Sequence, residues 1–501
     1  MSKVYITTTL PYVNADPHIG FALELAQADV IARYYRAKGD EVFFNFGTDE
    51  HGQKVYEKSL EEKKSPQELC DFYAENFKNL VKLLNLSETN FIRTTDVHHV
   101  MAAQEFWKRS LAAGDIYKKN YQTKYCVGCE LEKQDSDLEN GKCPLHPTRD
   151  IELISEENYF FKFSKYEQKL LDLYESNPKF FVPNIRFNEV RAFVKSGLQD
   201  FSISRLKAKM PWGIDVPGDS EHVMYVWFDA LVNYISAVGW PDKMKEFNAW
   251  WPVIQFCGKD QGRQQAVIWQ AMLMSAGLPA SKQIVMHGFI TGGGGQKMSK
   301  SVGNVVNPLD IVNEYSTDAL RYYLLREMTP FEDGDFTMEL FKNAYNANLA
   351  NGLGNLVSRI MKMSEEYLGT GHTGQSSAEA PEDCPVNAGP EVRGETLSTQ
   401  KVSPLELLRV SEFLDNYEFK KAFDVVFDMI QKLDQRIQSE KPFTVWKTDQ
   451  EAAKKIVREL VSDLRDIAFL LHPFMPQTAE KIATCIKENK KPAEPLFLRK
   501  E

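Results

Sequence analysis

Apolar and polar positions at the start of the chain alternate in a β-α-β rhythm. Residues 3–8 are β-branched and aromatic and predict a strand. A Pro-punctuated loop, Leu10-Pro11-Tyr12-Val13-Asn14-Ala15-Asp16-Pro17, follows. Apolar positions including Leu25, Ile31 and Tyr35 predict a helix over 18–38, which Gly39 ends as a C′ glycine. The continuous apolar centre Val42-Phe43-Phe44 marks 41–46 as a buried parallel strand. A β-α-β opening implies a right-handed crossover and a parallel sheet, with the first strand-to-helix turn at its carboxyl edge, where nucleotides bind. The rhythm is interrupted from about 116 to 220. Tyr225-Val226-Trp227-Phe228-Asp229-Ala230-Leu231-Val232-Asn233-Tyr234 is expected to resume the sheet and lead into a helix. From about 340 the pattern turns helical to near the end. Residues 369–404 are rich in Gly, Ser, Thr, Pro and Glu and read as a flexible loop between helices, with Cys384 incidental to it. There are no repeats.

Composition narrows the class. A chain of 501 residues with 43% apolar and 26% charged residues suits a soluble protein of several domains. A net charge of −10 argues against a basic coat, while leaving room for a local basic track. Seven cysteines are few, and four have no close partner in sequence, which points to a reducing, cytoplasmic setting. The N-terminus lacks the apolar core of a signal peptide, and no apolar run is long enough to span a membrane.

Three stretches carry chemistry. Cys126-Val127-Gly128-Cys129 and Cys143-Pro144-Leu145-His146 form two tight knuckles, whose four soft ligands suit one tetrahedral zinc ion. With every coordination position filled, the metal is expected to be structural. In Pro17-His18-Ile19-Gly20-Phe21, Gly20 lets a phosphate approach the helix N-terminus, and His18 offers a donor. Gly292 to Gly295 run into Gln296-Lys297-Met298-Ser299-Lys300-Ser301, a combination of hinge, amides, hydroxyls and ammonium groups suited to closing over a polyphosphate.

Together the last two stretches resemble the HIGH and KMSKS signatures of class I aminoacyl-tRNA synthetases. With Leu10-Pro11-Tyr12 and Gly47-Thr48-Asp49-Glu50-His51-Gly52, the chain resembles the methionyl-tRNA synthetase family to about residue 470. The resemblance implies an α/β fold: a Rossmann-type parallel-sheet catalytic domain in two halves, 1–115 and 221–291. A connective insertion with one zinc knuckle spans 116–220, a KMSKS loop and stem-contact region 292–343, and an all-α anticodon-binding bundle 344–501. An insertion of this size is small for a separate editing domain.

The resemblance also implies site residues. Pro17, His18, Gly20, Gly258, Asp260, His287, Lys297, Met298, Ser299, Lys300 and Ser301 would bind ATP with Mg²⁺, and His18, Lys297 and Lys300 would act in catalysis. Leu10, Tyr12, Trp227, Ala230, Tyr234 and Gln265 would line the methionine pocket, Asp49 would hold the substrate ammonium, and Arg205 would face the site. An aromatic pocket suits a thioether. Asn355 and Arg359, one turn apart, would read anticodon bases and Phe443 would stack on one. The chain departs from the family at Phe21, where the motif has His. It departs also at Gln261 and Gln265, where an apolar residue and a His are usual, and at Phe443, where a Trp is usual. The implied activity is ATP-dependent ligation of methionine to its tRNA by a monomer, since the chain stops soon after the bundle. Three alternatives stay open: the same reaction on a different amino acid, an adenylyltransferase that uses no tRNA, and a silent zinc-containing RNA-binding protein.

Overall fold

The structure is a computed structural model that describes residues 1–501 apart from Glu130, Gln134, 299–305 and 370–403; at Tyr121, Thr123, Leu131, Glu132, Ile154 and Lys297 it describes the backbone alone. The loop expected over 369–404 therefore lies, except at its two ends, outside the described residues.

The opening unit forms as expected, with β1 (Lys3–Thr7), α1 (Ile19–Ala37) and β2 (Glu41–Thr48). β2 pairs with β1 on one side and with β3 (Asn90–Arg93) on the other, both parallel. The sheet continues across β1 through Val253–Gly258 and Gln283–His287, also parallel, and ends on the short strand Phe181–Val182. Sequence order runs away from β1 in opposite senses on its two sides. The crevice at the carboxyl end of β1 is thus a topological switch point, where ligands bind in open α/β sheets.

Alternation along the strands feeds two cores. Val4 and Ile6, Phe44 and Phe46, and Ile254 and Phe256 face α1, while Tyr5, Val253 and Cys257 face the opposite side. On the α1 side, the apolar cluster continues without a break into the C-terminal helices, through Tyr322, Phe423, Leu464 and Ile482. On the other side it joins Phe106, Trp107, Phe228 and Trp269 with Phe161 and Tyr166.

Residues 225–234 do not resume the parallel sheet. The preceding strand, Asp219–Met224, pairs antiparallel with Ser204–Leu206 and Asp215–Val216 in a separate small sheet, and Tyr225 caps the helix Val226–Ala230. The burial of the strands explains the difference. Asp219–Met224 begins exposed and ends buried, as an edge element does, whereas Val253–Gly258 is buried at every position, as a central parallel strand must be. The interrupting stretch builds a four-stranded antiparallel sheet around a long hairpin, Ile116–Cys126 against Glu152–Phe161. The C-terminal part is helical, from Met338–Ala344 through Asn355–Leu368, Phe419–Glu440 and Gln450–Leu471 to Pro476–Glu488. Among the described residues no helix is long and apolar enough to cross a membrane.

One ion cluster joins these parts. Arg321, fully buried, donates to the carbonyl oxygens of Pro473 (2.9 Å), Phe474 (2.8 Å) and Leu84 (3.2 Å) and pairs with Asp29 of α1 at 2.8 Å. Asp29 also accepts from Arg33 at 2.7 Å and from the Ser87 backbone and hydroxyl. Burial pushes the Asp29 carboxyl up, but Arg33 and Arg321 outweigh it and hold it at about 2. Its folded value lies below the unfolded one, so its stabilisation is complete above the ordinary carboxylate range and is lost as pH falls toward 2. The expected size is about 2 kcal/mol. Arg321→Met should lower the unfolding free energy at pH 7 by about 3 kcal/mol, because it leaves part of a buried charge uncompensated. It should also flatten the acid slope. Urea unfolding of both proteins at pH 7 and pH 3 tests this, and an unchanged midpoint in the variant would contradict it.

Candidate active site

The loop after β1 and the start of α1 bring the first site residues to the carboxyl edge. His18 is the N-cap of α1, and its Nδ1 accepts from the Gly20 N–H at 3.1 Å. With Nδ1 accepting, the neutral imidazole carries its proton on Nε2. A Cβ on Gly20 would lie 2.9 Å from His18 Cε1, so this glycine is required by the imidazole as well as by any approaching phosphate. Phe21 lies against the His18 ring with centroids 4.4 Å apart, and edge-on to Phe77. The departure from the motif at this position thus gives the cap an aromatic support in place of a second donor.

Three further strand ends converge there. Tyr12 and Asp49 sit side by side in a parallel bridge, with Asp49 N–H donating to the Pro11 carbonyl at 2.9 Å. The turn carrying Asp49 is locked by its neighbours. Glu50, fully buried, accepts a forked pair from Arg93 (2.6 and 2.9 Å) and a bond from Thr48. His51 and His99 meet the two oxygens of Asp229 at 2.7 and 2.8 Å, which ties the turn to the helix carrying Trp227 and Ala230. Burial pushes the Asp229 carboxyl up, but the two imidazoles hold it below its ordinary value. At the third end, Gly258 closes its strand, with the Asp260 carboxylate folded back toward it.

His287 ends the next strand and was expected at the ATP site; it is also half of a buried pair. Its Nε2 meets Glu24 of α1 at 2.9 Å, and its Nδ1 meets the Gly288 carbonyl at 2.7 Å. Burial disfavours the imidazolium, but the Glu24 carboxylate prevails and raises the His287 pKa. The other Glu24 oxygen accepts from the Thr9 N–H at 2.6 Å, fixing the loop that leads to Leu10 and Tyr12. Sequence reading missed Glu24. Its signal was an acid inside the otherwise apolar run Ala22-Leu23-Glu24-Leu25-Ala26.

The other residues expected around methionine come from the loop after β1 and from three helical segments. Leu10, Trp227, Ala230 and Tyr234 are all buried. Gln265 lies in a π-helical turn, Gln264–Ile268, and donates to the Tyr234 hydroxyl at 2.6 Å. Arg205 donates to Ser202 Oγ and to the Ser204 carbonyl, both at 2.8 Å, and packs against Tyr125 and Tyr225. It lines a cavity of about 220 Å³ between the small sheets and the 49–53 turn, shared with Gly52, Glu156 and Lys209. Of the Lys-Met-Ser-Lys-Ser stretch, Lys297 lies in a short strand pairing with Ile290–Gly292, and Met298 packs on the core. Ser299, Lys300 and Ser301 lie outside the described residues. The glycines before them form a hairpin turn, with Gly294 and Gly295 N–H groups donating to Asp335.

Away from this edge, Cys126, Cys129, Cys143 and His146 bring their ligand atoms within 4.8 Å of one another. Cys129 Sγ lies 3.4 Å from Cys143 Sγ and 3.2 Å from His146 Nδ1. Ligands about 2.0–2.3 Å from one tetrahedral ion are spaced by about 3.5–3.8 Å, so the set fits a single metal. A Cβ on Gly128 would sit 2.4 Å from His146 Cγ, so only glycine admits the fourth ligand. In the C-terminal helices Asn355 is exposed, Arg359 pairs with Asp434 at 2.5 Å, and Phe443 is 50% exposed.

Residues 4–150 and 132–361 match a family model described as tRNA synthetases class I (M), and residues 392–495 match the anticodon-binding domain of methionyl tRNA ligase. A methionine–tRNA ligase of Thermotoga maritima is 40% identical over 98% of this chain and 76% of its own length. One from Brucella suis is 40% identical over 96% of this chain and 91% of its own. The Mycobacterium tuberculosis methionyl-tRNA synthetase, solved in complex with methionyl-adenylate, superposes with a TM-score of 0.86 at 35% identity, covering 96% of this chain and 93% of its own. The chain belongs to the methionine–tRNA ligase family. It is a class I aminoacyl-tRNA synthetase by family, with the α/β sheet, metal-ligand cluster and helical anticodon-binding part expected from its sequence.

Seen as a member of that family, the chain keeps Pro17-His18-Ile19-Gly20 and Lys297-Met298-Ser299-Lys300-Ser301 and departs at Phe21, which lies against the His18 ring. Gly20→Ala tests the first. Alanine favours a helix over glycine by about 1 kcal/mol, so propensity alone predicts a more stable protein. The Cβ instead displaces the His18 ring, and amino-acid-dependent ATP–pyrophosphate exchange should fall about 100-fold if one phosphate donor is lost. Exchange within threefold of the parent would show that the cap geometry is dispensable.

Proposed function

We propose that the protein joins L-methionine to its cognate tRNA in two steps at the carboxyl edge of the parallel sheet. In the first, the methionine carboxylate attacks the α-phosphorus of ATP, giving methionyl-adenylate and pyrophosphate. A carboxylate is already a nucleophile at neutral pH, so catalysis rests on positioning and charge stabilisation. In this reading His18 donates from Nε2 to phosphate at the start of α1. Pro17, Gly20, Gly258, Asp260 and His287 shape the nucleotide site. Lys297, Met298, Ser299, Lys300 and Ser301 close over the polyphosphate, and Mg²⁺ arrives with ATP. Asp49 holds the methionine ammonium, while Leu10, Tyr12, Trp227, Ala230, Tyr234 and Gln265 hold the side chain and Arg205 bounds the site. In the second step a ribose hydroxyl at the tRNA 3′ end attacks the adenylate. Asn355, Arg359 and Phe443 meet the anticodon, with Arg359 exchanging its Asp434 partner for a base. The domain limits that go with this reading are 1–115, 116–220, 221–291, 292–343 and 344–501, in a cytoplasmic monomer.

The observation that carries the reading is the bridge that sets Tyr12 beside Asp49 at the carboxyl edge of the sheet, the edge from which α1, capped by His18, also starts. Methionyl-adenylate bound to the Mycobacterium relative supports the substrate. ATP–pyrophosphate exchange with each of the twenty amino acids tests it. Exchange with methionine alone is expected. Exchange with another amino acid would keep the chemistry and overturn the pocket assignment. Lys300→Ala should reduce methionine-dependent exchange by about 100-fold or more, equivalent to a few kcal/mol of barrier, and leave tRNA affinity within twofold. An unchanged exchange rate would remove Lys300 from the mechanism.

The Cys₃His cluster is proposed to hold one zinc ion that fixes the insertion and takes no part in the reaction. Elemental analysis of the purified protein should find about one zinc per chain, and Cys143→Ser should lose it. Chelation should lower the melting temperature more than the exchange rate; complete loss of exchange with the fold intact would assign the metal to catalysis instead.

A further inference from the structure

Five buried polar side chains, of which Tyr234 is the last, form one directed chain of hydrogen bonds. The Ser281 N–H donates to Gln270 Oε1 at 3.0 Å, and Gln270 Nε2 donates to the Gln265 carbonyl oxygen at 2.8 Å. Both partners are backbone groups, one always a donor and the other always an acceptor, so the Gln270 amide has a single orientation. Gln270 Nε2 also donates to Ser281 Oγ at 3.1 Å, which sends the Ser281 hydroxyl proton on to Gln255 Oε1 at 2.5 Å. That leaves the Gln255 amino group to donate to Gln265 Oε1 at 2.9 Å, and the Gln265 amino group to donate to Tyr234 Oη at 2.6 Å. Ser281 is 4% exposed, Tyr234 2%, Gln265 1%, and Gln255 and Gln270 are fully buried.

In so dry a place an unpaired amide costs about 1–3 kcal/mol, so reversing any one member leaves a clash or an orphan and the chain holds as a unit. Its direction is set at Gln270, by the Ser281 N–H on one side and the Gln265 carbonyl on the other. The consequence falls on Tyr234. Its hydroxyl accepts from Gln265 and so keeps its own proton for a partner on another side. Burial raises the Tyr234 pKa far above the physiological range, so that proton is retained.

We infer that Gln255, Ser281 and Gln270 are positioning residues for amino-acid selection: through Gln265 they make Tyr234 a hydrogen-bond donor toward the pocket. This selects a side chain carrying a weak acceptor near its tip, such as a thioether sulfur, over a hydrocarbon of the same length. The inference rests on the methionine pocket proposed above. None of the three residues is among those placed against substrate; they act through Gln265 and Tyr234. A Gln in this chain serves where a ring would need a neighbouring group to choose its tautomer, because the amide offers one donor end and one acceptor end in series.

The test compares methionine with norleucine, its isosteric hydrocarbon, in ATP–pyrophosphate exchange by the full chain. Ser281→Ala removes the proton donor to Gln255, frees that amide to turn over, and lets Gln265 follow. The kcat/KM ratio of methionine to norleucine is expected to fall about 3- to 10-fold, the loss of one oriented hydrogen bond, with the ATP KM unchanged and the melting temperature lowered only as far as one lost buried hydrogen bond requires. Ser281→Thr, which keeps the hydroxyl, should restore the ratio. Gln270→Met removes the orienting amide at constant volume and carries the same expectation should Ser281→Ala not fold. A ratio within twofold of the parent in the folded variants, or equal losses for both amino acids, overturns the inference while methionine exchange by the parent stands. Absence of methionine exchange in the parent instead overturns the functional reading on which it rests.

Discussion

Helix α1 is buried on nearly all its faces, yet it carries Glu24, Gln27 and Asp29 among its buried residues. Burying a carboxylate is expensive unless it is paired, so each acid dictates what must lie beside it. Glu24 requires the Thr9 N–H and His287, and thereby ties the loop after β1 to the end of Gln283–His287, across the end of Val253–Gly258. Asp29 requires Arg33 and Arg321, and Arg321 in turn requires the carbonyls of Pro473 and Phe474. One helix therefore sets the loop at the site, the crossing of the sheet and the seat of the C-terminal helices. His18 stands at its N-terminus, where the helix dipole favours an anion.

That arrangement also explains which parts were legible in the sequence. The β-α-β opening could be read because its signals are local: a strand-forming run, a glycine stop, a continuous apolar centre. The knuckle ligands could be read because both pairs are fixed by short spacings, and the fold brings the pairs together. The partners of Glu24 and Asp29 could not, since they lie 263 residues away at His287 and far along the chain at Arg321, and no local pattern names them. The strand expected at 225–234 failed for a related reason. Aromatic, β-rich residues mark a buried segment, but whether it joins the central sheet depends on which neighbour covers each face. Here helix Val226–Ala230 turns those aromatics into the second core. Of the candidate site, the residues at strand ends were legible from motif and resemblance, while the pairs that hold them (Glu50 with Arg93, Asp229 with His51 and His99) became visible only in three dimensions.

The insertion meets a different constraint. Its antiparallel hairpin is long, and Tyr125 and Cys126 near its tip belong to neither large core. A small sheet of this kind has too little apolar surface to order its own end. The cluster of three thiols and an imidazole supplies there what packing cannot, which is why Gly128 must be bare: His146 occupies the space of its side chain. The opposite end of the same hairpin is held by packing, because Ile116 and Phe161 enter the second core and Asp115 is held by Lys165 and Ser275.

The departures from the family pattern then have a common physical form. Phe21 replaces a polar group with a ring that stacks on His18, so the imidazole is steadied by packing and its Nδ1 by a backbone N–H. Gln265 replaces a titratable ring with a neutral amide whose two ends are committed to Gln255 and Tyr234. In each case a side chain whose protonation state can change is removed from the surroundings of the site, and its place is taken by a contact whose direction the fold decides. Selectivity at such a site depends on how firmly the orienting groups are held. They are held here by backbone atoms of the loop before Gln283–His287 and of the π-helical turn, which cannot reverse without unfolding both.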